Sequence, residues 1–230
     1  MELKGLKAAF PHTLPVMAGY LALGTAYGIL MDTIGMNALW TAFSSLTVFA
    51  GSAQMLSISL LETAAPLIQA ALLTLVLNFR HLFYGLSLIG QYRETGWRKP
   101  YLIFGLTDET YAILTATPVP PGVLPGDFYF FVTLLNQSYW VAGSVLGTLI
   151  GSLITFSTQG VDFAMTALFV VLLTEQVKKK ENRLPAGIGL AFSLVFLLLL
   201  GPDRFLIPSL AAITLCLLAL GGKGKELSPP

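Results

Sequence analysis

Eight apolar runs, most of them near the length of a bilayer crossing, leave this chain little room for anything but membrane helices. They cover roughly residues 10–31, 38–60, 64–89, 101–117, 128–156, 163–177, 184–201 and 204–221. A hydrocarbon core of about 30 Å takes about 20 residues of helix. The run at 163–177 is short for a full crossing, and 128–156 is long enough to require tilt or a bend. The two-residue alternation of a β-barrel is absent. The expected fold is all-α: a polytopic membrane helix bundle of seven to eight segments with one or more broken helices. Residues 1–230 are expected to form a single integral membrane transporter domain.

Composition supports this. Of 230 residues, 55% are hydrophobic and 11% charged, against roughly 25% charged in soluble domains. Too few charges remain to build a water-facing surface. A net charge of +1 gives no footprint for nucleic acid. The single cysteine, Cys216, can form no intrachain disulfide. The first run carries Pro11, His12 and Pro15 and exceeds the length of a signal-peptide core, so it is expected to remain as the first spanning helix.

Basic residues gather in four places. These are Lys4 with Lys7; Arg93, Arg98 and Lys99; Lys178, Lys179, Lys180 and Arg183; and Lys223 with Lys225. The other loops carry acids: Asp32, Glu62, Asp127 and Asp162, with Arg204 beside Asp203 the exception. The positive-inside rule puts all four clusters, and the N-terminus, in the cytoplasm. Three full crossings cannot join two cytoplasmic points, so each set of three segments between clusters needs one that is split or does not cross. Irregular backbone at membrane depth is tolerated where protein or a wet cavity surrounds it. The expected places are 38–60, interrupted at residues 50–54, and 163–177, and at least one helix is expected to be broken near Gly51 or Asn78. The matching sets hint at a three-segment repeat, with residues 71–77 resembling 167–173.

Polar residues inside apolar runs are the functional candidates. Gly51, Ser52 and Gln54 lie in a stretch of small residues where an unwound helix would offer backbone N–H groups to a ligand. The structural alternative is a close helix crossing tied by Gln54. Asn78-Phe79-Arg80-His81, followed by Tyr84, places an arginine within a run. At the centre of a lipid-exposed helix it costs at least about 2.5–3.5 kcal/mol. Arg80 could hold a carboxylate, or it could snorkel to the nearby surface. Asp108 and Glu109 lie within 101–117 and can carry protons, or pair structurally with Arg80. Asn136, Gln137 and Ser138 can line a polar path or cross-link helices. Glycines at 24 and 28, and at 143, 147 and 151, form smooth faces for helix packing, one of which could dock another membrane chain.

Enzyme signatures are missing. There is no His-Glu-x-x-His and no phosphate-binding glycine loop, and the only histidines, His12 and His81, are far apart in sequence. No enzyme activity, cofactor or metal is expected, and an ion gradient becomes the default energy source.

Three stretches together resemble the AzlC-type branched-chain amino acid exporters. They are Phe49-Ala50-Gly51-Ser52-Ala53-Gln54, Asn78-Phe79-Arg80-His81 with Tyr84-Gly85, and Phe104-Gly105-Leu106-Thr107-Asp108-Glu109. Pro15, Gly19, Gly24 and Gly28 fit the same pattern, and the likeness extends to about Leu200. The resemblance implies a permease of the bacterial inner membrane that exports leucine, isoleucine, valine and often methionine on the proton-motive force. It also implies a second, much smaller AzlD-type membrane subunit. It implies no particular site residues, so the assignment rests on the polar residues themselves. Gly51, Ser52, Gln54, Asn78, Arg80, Tyr84 and Asn136 are expected to bind substrate, with Phe49 and Phe83 packing its side chain. Asp108, Glu109 and His81 are expected to couple protons. The rival readings are a channel-like facilitator and a structural membrane scaffold.

Overall fold

The computed structural model describes residues 2–93, 95–153, 170, 173, 174, 177, 178, 183–201 and 204–224. Every regular element among them is helical. The short run at 163–177, and with it residues 167–173 of the suggested repeat, lies almost wholly outside the described residues. Residues 1–158 and 159–230 form two compact units.

The first unit is organised around two long helices, α1 (Glu2–Thr33) and α8 (Pro125–Leu153). They run parallel. A Cβ on Gly5 would lie 2.9 Å from Asp127, one on Gly24 3.0 Å from the Ser144 nitrogen, and one on Gly151 3.0 Å from the Asp32 side chain. The glycine faces therefore meet each other: a Cβ on Gly28 would stand 1.9 Å from the Ser144 carbonyl oxygen, and one on Gly147 2.1 Å from that of Thr25. Backbones can approach this closely only without side chains between them. The expectation that one face is spare for another chain is thereby corrected. Both are spent within this unit.

Three further apolar runs are each broken. The run at 38–60 forms α2 (Ala38–Thr47), capped by the Asn37 side chain, and α3 (Gly51–Glu62). Between them Phe49 takes a φ of 41°, a left-handed conformation that an L-residue adopts at a steric cost. The chain reverses there. Gln54 Nε2 reaches Ser45 Oγ at 3.2 Å, though nine residues of straight helix would span about 13 Å. The run at 64–89 forms α4 (Leu67–Asn78) and α5 (Arg80–Leu88), bent by 41° at Phe79. The two breaks fall next to where the sequence places them, the first at 48–50 rather than within 50–54, since residues 51–54 already form the first turn of α3. The third does not: 101–117 forms α6 (Lys99–Phe104) and α7 (Asp108–Ala116), separated at Gly105–Thr107 and joined to Arg93 through a short 3-10 turn, Gly96–Arg98.

The α6–α7 hairpin enters and leaves at one end of the unit. Arg98, before α6, forms an ion pair with Asp127, at the start of α8. Leu102 on α6 and Ile113 and Leu114 on α7 share a core cluster with Ala9, Leu88, Tyr92 and Phe128. Asp127 thus stands at the same end as the Arg98 cluster and Gly5, which corrects its assignment to the opposite loops. The α2–α3 hairpin enters from the other end: Thr41 meets Thr148, while Leu46 lies further along α8 at Gln137. Its tip meets the tip of α6–α7, with the Phe49 ring 3.8 Å from where a Gly105 Cβ would be. Re-entrant 101–117 supplies one segment after the basic cluster at 93–99 that does not cross. Among the described residues, the first unit thus holds two long helices, α1 and α8, the bent pair α4–α5, and two hairpins that turn back within it.

In the second unit, α9 (Arg183–Leu200) and α10 (Leu206–Gly224) pack on each other around a turn at Gly201, whose φ is 74°. Among the described residues, α1 and α9 are long and apolar enough to cross a membrane, and α4 with α5 makes a third if taken as one span. Many large apolar side chains face outward, as lipid as solvent allows. Leu39, Leu67, Leu153 and Leu198 are all at least 80% exposed.

Candidate functional site

The three broken segments converge near mid-bundle. Tyr20, level with the hairpin tips, lies about 22 Å along α1 from Gly5 and about 18 Å from Asp32. Arg80, the first residue of α5, lies between the N-terminal ends of α3 and α7. Its Nη1 is 2.7 Å from Asp108 Oδ2, and its Nη2 donates to Ser52 Oγ at 2.7 Å. The first amides of α3 and α7 have no partner within their helices, so both helix ends present partial positive charge toward this point. Asp108, in the first turn of α7, answers one end. At the α3 end Ser52 bonds Arg80, and no acid occupies the first turn. Arg80 Nε, Asp108 Oδ1 and Asn78 Oδ1 are buried without a hydrogen-bond partner. Buried polar atoms normally have partners, so Arg80 Nε and Asp108 Oδ1 leave hydrogen-bonding capacity here for a ligand or water.

Beside this triad lies a second, more buried network. The Tyr20 hydroxyl is 2.5 Å from Glu109 Oε2 and 2.8 Å from Thr107 Oγ1. Thr107 caps α7 by accepting from the Thr110 amide, and its hydroxyl lies 3.1 Å from that of Thr110. Asn136, fully buried on α8, donates from Nδ2 to Thr110 Oγ1 at 3.0 Å, and its Oδ1 has no partner. A third group holds the α2–α3 hairpin against α8. Gln54 accepts from Trp140 Nε1 at 2.9 Å and donates to Ser45, while Tyr27 bonds Ser44. Gly51 lies against the Trp140 ring, 3.0 Å from where its Cβ would be.

Residues 15–154 match the AzlC protein family. The chain is 46% identical to the branched-chain amino acid transport protein AzlC of Bacillus subtilis over 90% of its own length and 82% of that protein. The chain belongs to the AzlC family. An uncharacterized membrane protein of Helicobacter pylori is 41% identical over 94% of this chain and 95% of its own, and the inner membrane protein YgaZ of Escherichia coli is 27% identical over 74% and 72%. No solved structure matches. The AzlC family comprises transport proteins, not enzymes, and this member is a multi-pass membrane protein.

Of the residues expected at a site, this member of the AzlC family brings Ser52, Arg80 and Asp108 into direct contact and sets Glu109 and Asn136 in the adjoining network. Tyr84 stacks on Tyr111 at 4.5 Å, one turn below Arg80. His81 turns its Nδ1 to the Asn78 carbonyl, 3.1 Å away, and its ring edge to Tyr84. Phe49 is buried between Tyr20 and Gly105. Phe83 instead faces outward and meets the likewise exposed Phe79, because residues three and four along α5 from the bend point away from the bundle. That corrects its expected place beside the substrate.

The sequence does not single out Tyr20, Thr107, Thr110 or Trp140. Only Thr107 carries a readable signal: a threonine followed by Asp108 and Glu109 is how a helix begins.

Proposed function

We propose that this chain is the permease subunit of a secondary exporter of branched-chain amino acids: leucine, isoleucine, valine and often methionine. The observation that carries the reading is Arg80 held between Ser52 and Asp108 where three helix breaks meet. An amino acid presents a carboxylate, an ammonium and an apolar side chain. Arg80 and the free amides at Gly51 and Ser52 meet the carboxylate. Asp108 meets the ammonium, relieving its pairing with Arg80 as substrate enters. Asn78 and Asn136 offer further polar contacts, Tyr84 and Phe49 the apolar ones, and Gln54 keeps Gly51 and Ser52 in place. Protons enter through the acids of α7, with His81 at the margin. The name of the Bacillus subtilis relative supports the substrate class.

The bacterial inner membrane is the setting, with Lys4, Lys7, Arg93 and Lys99 gathered at the cytoplasmic end. The whole chain acts as one transporter domain with a small AzlD-type subunit, a partner that rests on the family resemblance. The decisive test is counterflow of labelled leucine in proteoliposomes carrying both subunits. Saturable uptake that Arg80→Gln abolishes is expected; uptake indifferent to Arg80→Gln would overturn the site. A channel-like facilitator is the second reading, favoured by the two hairpins entering from opposite ends, and it requires flux that does not saturate.

A further inference from the structure

Asp108 and Glu109 are adjacent in sequence, yet they meet opposite electrostatic conditions. Asp108 is paired with the Arg80 guanidinium. Neutralising Asp108 would leave Arg80, whose side chain is 40% exposed, with the Ser52 hydroxyl and without its paired acid. Glu109 has the Tyr20 hydroxyl as its hydrogen-bond partner. Neutralising Glu109 strands no cation.

The groups beyond Tyr20 can accept that change. A phenol has one proton, so Tyr20 can donate either to Glu109 or to Thr107, both within 2.8 Å. With Glu109 ionised, Tyr20 donates to it, Thr107 to Tyr20 and Thr110 to Thr107, and Asn136 Nδ2 donates to Thr110. With Glu109 protonated, the carboxyl O–H donates to Tyr20, and the hydroxyls of Tyr20, Thr107 and Thr110 each turn to the next. The last donates to Asn136 Oδ1 once the amide rotates. The amide oxygen that now lacks a partner is the acceptor that the reversed chain requires.

We propose that Glu109 carries the coupling proton and that Tyr20, Thr107, Thr110 and Asn136 form a reversible hydroxyl chain that makes its two protonation states interchangeable. This rests on the transporter reading only in calling the proton a coupling one. The proton comes from water to the half-buried Glu109 Oε2. No bond within the chain breaks; three hydroxyls and one amide rotate. Nearest Glu109 are Tyr20 from α1 and Asp108 on its own helix, with the Arg80 guanidinium on Asp108 and Tyr84 of α5 beyond. Tyr20 is a positioning residue.

The test is the acid-induced infrared difference spectrum of the purified protein in lipid vesicles, without amino acid. A protonated-carboxyl band is expected in the wild type and in Asp108→Asn, lost in Glu109→Gln, and displaced in Tyr20→Phe. Loss in Asp108→Asn with retention in Glu109→Gln would overturn the assignment. An undisplaced band in Tyr20→Phe would overturn the chain, and this variant decides alone if Glu109→Gln does not fold. In leucine vesicles, Glu109→Gln should lose pH-driven accumulation yet keep counterflow. Accumulation that persists in that variant overturns the proposal. Absence of leucine counterflow in the wild type would instead sink the substrate reading and leave the infrared result standing.

Discussion

The Phe49 ring lies against Gly105, each at the tip of a hairpin that enters the first unit from the opposite end. A Cβ at Gly105 would stand 2.3 Å from Thr133 Cγ2 as well. Gly105→Ala must therefore turn the Thr133 side chain aside or push the α6–α7 tip off α8. Leucine counterflow should fall at least tenfold, with a lower melting temperature in detergent. Gly19→Ala, which meets nothing within 4 Å, should leave both unchanged. Equal effects from the two variants would show that the tip contact is unimportant.

The parallel packing of α1 on α8 gives the sharpest steric prediction. A methyl group at Gly28 collides with backbone, at 1.9 Å from the Ser144 oxygen, and backbone cannot rotate aside. Overpacking of this kind costs about 1–3 kcal/mol. Gly28→Ala should lower thermal stability by that order, and Gly28→Leu should prevent folding. Normal folding of Gly28→Leu, judged by gel filtration, would refute the packing.

Much of this arrangement is legible in the sequence, and the illegible part has a physical reason. Arg80 in an apolar run demands a partner, so a polar centre near it follows from desolvation cost alone. The small residues at 50–53 likewise announce the α2–α3 break. The α6–α7 break hides because Asp108 and Glu109 read first as chemistry, although as first-turn acids after Thr107 they also mark a helix start. Tyr20 and Trp140 carry no such signal. An aromatic residue in a membrane helix looks the same facing lipid or holding a carboxylate, and only tertiary packing distinguishes them.

Arg80 bridges two helix ends through different nitrogens, which a lysine cannot reproduce. Arg80→Lys should keep the protein folded and raise the half-saturation concentration for leucine about tenfold or more, with a smaller effect on the maximal rate. Ser52→Ala, which removes one neutral hydrogen bond, should cost about 0.5–1.5 kcal/mol of binding at most. A larger loss in Ser52→Ala than in Arg80→Lys would contradict both roles.

The Arg98–Asp127 pair fixes the direction of α8, and so carries the topology. Arg98 is also clamped between the Trp97 and Phe130 rings, 5.6 and 5.5 Å from their centres. Removing one partner of a buried pair costs about 3–5 kcal/mol, so Asp127→Asn and Arg98→Gln should each destabilise strongly. Side-specific labelling tests the consequence directly. With Cys216 replaced, single cysteines at exposed Lys4 and Gly122 should react from one face of the membrane, and cysteines at exposed Gly35 and Glu62 from the other. If 101–117 crossed fully, Gly122 would label with Gly35. Re-entry of α6–α7 requires it to label with Lys4, because Pro125 begins α8 at the end where Arg98 begins its approach to α6.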